Sequence, residues 1–299
     1  MKGVAAGVRS SVEKALKSVT DDAVNLVSGF VRDSRKLILT HAGPYTSPAR
    51  YASLILNSLS NVECLWMHPQ DLMYYLAPYE EGEAASVLIT SPDEGINTLA
   101  MLLDQLTWTG HSIALVTQHE LPEIIAYKIP DTAAYVSLDT SEWLLAVHIL
   151  LARAAAKACR EGLRHDRIVR EVSDLTSVVD DLIEEYSDDL ERVADFIREP
   201  VVITSSPTMW GVAESIAYSR VARKGRYLVE PEAVSQVAAY VGRVLLISTD
   251  VEEYSMRLVK SLQMTSSASV IELKLHTDPL TAPIYGLMLA KALELAGSA

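Results

Sequence analysis

Short runs of consecutive apolar residues return repeatedly along this chain, each followed by a segment long enough for a helix. Lys36 to Thr40, Val62 to Trp66, Ser86 to Thr90, Ser112 to Thr117 and Ala134 to Leu138 form one series. Within it, VLIT (Val87 to Thr90) and IALV (Ile113 to Val116) lack the period-two alternation of a strand with one wet face. A strand that is apolar on both sides needs cover on both sides, and intervening helices supply it. The series predicts an α/β fold with a parallel sheet between two helical layers.

A second series follows at Val201 to Ser205, Arg226 to Glu230, Val244 to Thr249 and Ser269 to Leu275, with a last helix near Thr281 to Ala296. At 299 residues the chain exceeds the usual span of one core, so two domains are expected, residues 1–163 and 164–299. Before the first series, Val12, Leu16, Val19, Ala23, Leu26, Val27 and Phe30 give Ser10 to Val31 the period of one amphipathic helix. Ser141 is the expected cap of a helix running from Glu142 to about Glu161. From Asp166 to Arg198, apolar residues recur at Ile168, Val172, Leu175, Val179, Leu182, Tyr186, Leu190, Val193 and Ile197. This stripe predicts a helix or helical hairpin connecting the two domains, ended by Pro200.

Composition removes several classes of function. A net charge of -13, with no Lys/Arg cluster interleaved with aromatics, argues against nucleic acid. The longest apolar tract, Trp143 to Ala156, is interrupted by His148 and Arg153, so no membrane span or export signal is expected and the location is read as cytoplasmic. The two cysteines, Cys64 and Cys159, are not in a C-x-x-C pair and read as buried thiols. No metal site is assigned from the histidines, and no cofactor is expected.

In an open parallel sheet, ligands bind beyond the carboxyl ends of the strands. The residues there are rich in hydroxyls: Thr46 and Ser47 after the first strand, Thr90, Ser91, Glu94 and Thr98 around the third, and Ser205, Ser206 and Thr208 after the first strand of the second half. Hydroxyls together with the free N–H groups of a helix start can hold a phosphate without a Walker loop. The same residue types also serve as plain helix caps. Spacing alone leaves both readings open.

A resemblance adds weight to the first. The stretch ITSPDEGINTLAMLLDQLTWTGHSIALVT (Ile89 to Thr117) resembles the signature of sugar isomerase (SIS) domains, in which a strand enters an S-x-S-G-x-T loop before a helix and another strand. Val172 to Ile197 followed by VVITSS is similar to the connector between the two sugar isomerase domains of glucosamine-6-phosphate synthase. Asp278 to Leu293 is similar to the family's closing helix, and archaeal phosphoglucose/phosphomannose isomerases share the stand-alone layout. The resemblance implies two flavodoxin-like three-layer SIS domains with parallel sheets, joined by a helical connector. It also implies a small phosphorylated sugar as ligand, aldose–ketose isomerisation as activity, and a homodimer.

Relative to the family pattern, Pro92 and Asp93 stand where a second Ser and a Gly are expected, and Lys224 and Val241 where a catalytic Glu and His are expected. The sequence closes at Gly297-Ser298-Ala299, where the family's C-terminal Lys is not found. If the reaction runs, its acid and base come from elsewhere, and the candidates are Glu214, Glu230 and Glu232, and His276. A sugar-phosphate-binding protein without catalysis is the alternative.

Overall fold

The computed structural model describes residues 2–80, 85–159, 162–219, 225–252, 257–265 and 268–298. The chain divides into two compact units, Lys14–Ser173, and Asp174–Ala299 together with Met1–Glu13.

The leading segment forms two helices, not the single one that its apolar period predicts. Helix α1 (Lys2–Ser18) stops where Thr20 turns to extended backbone, and the Thr20 hydroxyl accepts the Ala23 N–H at 3.2 Å. That side-chain cap starts α2 (Asp21–Asp33), whose first turn carries Asp21 and Asp22, the sign favoured by a helix N-terminus. The period carries across the break because both helices bury the same kind of face.

The first unit continues as β1 (Lys36–His41), α3 (Ser47–Leu59), β2 (Glu63–Trp66), β3 (Ser86–Ser91), α4 (Ile96–Trp108), β4 (Ile113–Thr117), β5 (Ala134–Ser137), α5 (Trp143–Ala158) and α6 (Leu163–Ser173). Every strand pair is parallel, and the order is β2-β1-β3-β4-β5. The inner strands are buried along almost their whole length, as their unbroken apolar sequence requires. Helix α5 begins at Trp143, and the hydroxyl that serves its start is that of Thr140, which accepts the Glu142 N–H at 3.1 Å, in place of the expected Ser141. It is buried nearly all round and packs on α2 and α3, which accounts for the longest apolar tract in the chain. Its expected end at Glu161 lies outside the described residues.

The second unit holds α7 (Val179–Glu185), α8 (Ser187–Phe196), β6 (Val201–Ser205), α9 (Trp210–Tyr218), β7 (Arg226–Leu228), α10 (Val234–Val241), β8 (Arg243–Thr249), α11 (Arg257–Thr265), β9 (Ser269–Leu275) and α12 (Ala282–Ser298). Its sheet is again all parallel, in the order β7-β6-β8-β9. The segment from Asp166 to Arg198 is three helices, α6, α7 and α8, not one continuous rod. Asp174 interrupts it by accepting the N–H of Ser177 and a bond from the Thr176 hydroxyl. The apolar stripe survives the breaks: Ile168, Val172, Leu175, Val179, Tyr186, Leu190, Val193 and Ile197 are all buried.

The two sheets share one plan, two α/β domains with β1, β2, β3 and β4 repeated as β6, β7, β8 and β9. Strand order reverses between β1 and β3 in one unit and between β6 and β8 in the other, the places where open α/β sheets take ligands. Just past each reversal the chains stay bonded, Ala42 N–H to Thr90 O at 2.8 Å and Ser206 N–H to Ile247 O at 2.9 Å.

Candidate functional site at the carboxyl edge of the second sheet

Beyond β6 the chain turns through Ser206, Pro207 and Thr208 into α9, and beyond β8 it turns through Asp250 toward Glu252. These two turns meet. The Ser206 hydroxyl donates to Glu252 Oε2 at 2.6 Å, the Thr208 hydroxyl to the same oxygen at 2.6 Å, and the Thr249 hydroxyl to it at 3.0 Å. The Thr208 N–H reaches Glu252 Oε1 at 3.2 Å. Three hydroxyls and an amide therefore converge on one carboxylate, with Ser206, Thr208 and Thr249 themselves buried. Donors gathered onto an anion at a sheet edge are the elements of an oxyanion site.

Next to this cradle, Asp250 joins two residues of β9 and its end. Its Oδ1 takes Lys274 Nζ at 2.7 Å, and its Oδ2 lies 2.7 Å from His276 Nδ1. Lys274 first and then His276 hold the Asp250 carboxyl below its ordinary range by hydrogen bonding. With Nδ1–H donating to the carboxylate, Nε2 of the neutral ring is the basic nitrogen. The His276 N–H donates to the Tyr186 hydroxyl at 3.0 Å, and the two rings stack at 6.5 Å. Burial pushes the Tyr186 phenol up, so it stays a neutral acceptor here.

The first unit has the same dyad with different surroundings. His119 Nδ1 lies 2.7 Å from Asp93 Oδ2, with Asp139 Oδ1 3.9 Å from its Nε2. They border a cleft of about 310 Å³ that includes Ser91, Ile96, Leu121 and Pro122. Here the strand-reversal turn is sealed by backbone: a Cβ on Gly95 would lie 2.2 Å from the Ala42 carbonyl oxygen, and Gly43, at φ +97, packs against Gly95.

Above β1 and β2 is a basic cluster. Arg50 stacks over Trp66 at 4.3 Å, and the rings of His41 and His68 are 5.5 Å apart. Burial, then His68, then Arg50 push the His41 pKa down to about 4, so this imidazole is neutral.

The predicted residues fall into distinct groups. The Ser206 and Thr208 hydroxyls both turn onto Glu252, whereas Ser205 is buried with its hydroxyl on the Ser206 carbonyl. Thr90 is sealed in the sheet and Ser91 turns onto the Pro92 carbonyl. Glu94 is exposed, Thr98 sits half-buried in the first turn of α4, Thr46 occupies the N-cap of α3 without a side-chain cap bond, and Ser47 is buried. The Asp93 carboxylate with its histidine borders the cleft nearest these first-unit hydroxyls, an arrangement that opposes a phosphate.

The three acid–base candidates do not form one centre. Glu214 is 1% exposed on α9 and accepts Trp210 Nε1–H at 3.0 Å, out of reach of a substrate. Glu230 is exposed after β7 and opens the turn Pro231–Ala233. His276 follows β9, and β7 and β9 are opposite edges of the sheet, three strand spacings or roughly 14 Å apart. Lys224 lies outside the described residues, and among the described residues no three His, Cys, Asp or Glu side chains are grouped to hold a metal.

No protein-family model matches the chain, and no curated protein matches it by sequence. Solved structures do match along nearly all of it. A Silicibacter pomeroyi protein assigned as a phosphosugar isomerase superposes with a TM-score of 0.68 at 12% identity, covering 99% of this chain and 97% of its own. The C-terminal domain of glucosamine-fructose-6-phosphate aminotransferase from Francisella tularensis gives 0.64 at 9% identity, with 99% and 95% covered. The chain has the double sugar-isomerase fold. Tagatose-6-phosphate ketose/aldose isomerase from Escherichia coli adds a third example of the SIS fold, at 0.57 and 13% identity over 97% and 90%.

Several residues of the site escaped sequence reasoning: Thr249, Asp250, Glu252, Lys274 and Tyr186. A signal for the first three existed. Thr249-Asp250-Val251-Glu252 follows Ser248 across the end of β8 just as Pro92-Asp93-Glu94-Gly95 follows Ser91 at the end of β3, so reading every strand-end turn equally would have included it. Tyr186 gave none, because it comes from the helical connector.

Among the described residues no helix is long and apolar enough to cross a membrane.

Proposed function

We propose that the protein binds a small phosphorylated sugar at the carboxyl edge of its second sheet, with the phosphate in the cradle of Ser206, Thr208 and Thr249. The observation that carries this reading is the convergence of three hydroxyls and the Thr208 N–H on a single carboxylate. A phosphate monoester presents the same acceptor chemistry with more oxygens and more charge. The structural neighbours named for phosphosugar chemistry agree with it.

The reaction that fits the same edge is aldose–ketose isomerisation. With phosphate in the cradle, the carbonyl end of an open-chain sugar extends toward β9. His276, oriented through Nδ1 by Asp250, takes the proton from the carbon beside the carbonyl at Nε2 and returns it to the former carbonyl carbon, while the hydroxyl proton of the first carbon passes to the former carbonyl oxygen through the enediolate. Lys274 offsets the Asp250 charge that otherwise opposes a phosphate nearby. The test is conversion among fructose 6-phosphate, glucose 6-phosphate, mannose 6-phosphate and glucosamine 6-phosphate. Turnover above a boiled control that disappears in His276→Ala supports the reaction; no turnover of any of the four rejects it.

A second reading, a sugar-phosphate sensor without catalysis, draws on the sealing of Glu214 and the separation of Glu230 from His276. Binding with no turnover selects it, and stabilisation of about 2 to 3 kcal/mol at ligand far above its Kd is the size to look for. We further propose a homodimer, as the resemblance implies; gel filtration showing a monomer at micromolar concentration rejects it.

A further inference from the structure

We infer that Glu252 is an autoinhibitory side chain that occupies the anion cradle in place of the ligand and must leave before a phosphate enters. The inference rests on the sugar-phosphate reading of this same site and adds how the site is controlled.

The cradle is filled to capacity. Oε2 of Glu252 takes the hydroxyls of Ser206, Thr208 and Thr249 at 2.6, 2.6 and 3.0 Å, and Oε1 takes the Thr208 N–H at 3.2 Å. A phosphate that used these donors would meet the carboxylate at contact distance. Two like charges there repel strongly, so occupancy by Glu252 and by phosphate is mutually exclusive. Glu252 is only half-buried, so its side chain borders water, whereas Ser206, Thr208 and Thr249 are buried on the two strand-end turns.

The matching turn of the first unit has no carboxylate at this position. Strand pairing makes the two units correspond residue by residue: Ser91 pairs with Thr117 where Ser248 pairs with Lys274, and Ala42 bonds Thr90 where Ser206 bonds Ile247. Glu252 then stands at the position of Gly95, and Ser206 at that of Ala42. In the first unit the same turn closes with no side chain at all, Gly95 lying directly on Ala42. The second unit thus departs from the first at this position, with a glutamate where the first has a glycine, and its carboxylate sits among donors that suit an anion.

A ligand for such a site sees only the fraction of molecules whose cradle is open, and its apparent affinity is reduced by that fraction. Titration calorimetry with inorganic phosphate and with fructose 6-phosphate on the full chain tests this. Glu252→Ala is expected to bind either probe about tenfold or more tightly than the unmodified protein, and adding Thr208→Val is expected to remove the gain. If Glu252→Ala binds no more tightly while Thr208→Val weakens binding in both backgrounds, the cradle is a phosphate site and the autoinhibitory role is wrong. If neither protein binds either probe, the sugar-phosphate reading falls as well. Should Glu252→Ala fail to unfold cooperatively, Glu252→Gln carries the test: it keeps the shape but not the charge, a smaller gain supports the inference, and unchanged binding overturns it.

Discussion

His276 stands to Asp250 as His119 stands to Asp93: Nδ1 and Oδ2 are 2.7 Å apart in both pairs, and 26 residues separate the partners in each. The strand registers superpose these residues, so the two sheets repeat a histidine–carboxylate pair at one place. What differs is the company. The second pair adjoins hydroxyls gathered on an anion and a lysine, whereas the first lies beside Asp139 and the Ile96, Leu121 and Pro122 lining of its cleft. A phosphate is therefore expected at one edge only.

If His276 moves the proton, its removal should cost about 100-fold or more in kcat. Asp250→Asn acts through the histidine, and is expected to lower kcat by roughly 10-fold or more while leaving the KM for the phosphosugar close to its starting value. Steady-state kinetics of both variants separates these effects, and a KM change of equal size in Asp250→Asn would assign Asp250 to binding instead.

Gly95→Ala probes the sealed turn of the first unit. The added methyl would meet the Ala42 carbonyl oxygen at 2.2 Å and its carbon at 2.5 Å, backbone atoms held by the Ala42 N–H bond to Thr90. Neither can retreat without breaking the join between β1 and β3. A loss of about 1 to 3 kcal/mol is expected by urea unfolding, and a loss below 0.5 kcal/mol, the range of ordinary surface substitutions, would show that the turn is loose.

Much of the architecture was legible because it follows from local rules. Unbroken apolar strands such as Val87 to Ile89 need cover on both faces, and the end of each strand locates a turn. Helix boundaries were harder to read: Thr20 and Asp174 break helices by bonding nearby backbone, while the apolar period runs on across the break. Ser206 and Thr208 could be placed in the turn after β6 because hydroxyls after a strand are a local signal. Glu252 and Asp250 act through contacts with residues tens of positions away, and the burial of Glu214 depends on packing around α9 that its sequence neighbours do not reveal.

Both thiols are expected to be unreactive. Burial pushes Cys64 up to about 12 and Cys159 up to about 11, so neither carries appreciable thiolate at pH 8. Iodoacetamide at that pH should label the native protein slowly and the urea-unfolded protein quickly. Rapid native labelling of Cys64 would mean that the edge strand β2 opens.

Acid should unfold the first unit earlier than its carboxylates alone require. His41 and His148 are both pushed down to about 4 from 6.5, chiefly by burial. His148 Nδ1–H donates to the Leu144 carbonyl at 2.7 Å and its Nε2 is buried without a partner, so the folded protein holds the neutral ring. Between pH 6.5 and 4 the unfolded chain binds more protons at these two sites than the folded chain does. Stability is therefore complete above pH 6.5 and falls as the pH drops toward 4, by up to on the order of 3 kcal/mol for each histidine. His148→Leu fills the same space without a titrating group, and should remove about half of that slope when urea midpoints are compared at pH 7 and pH 4.5. An unchanged slope would mean that water reaches the His148 ring.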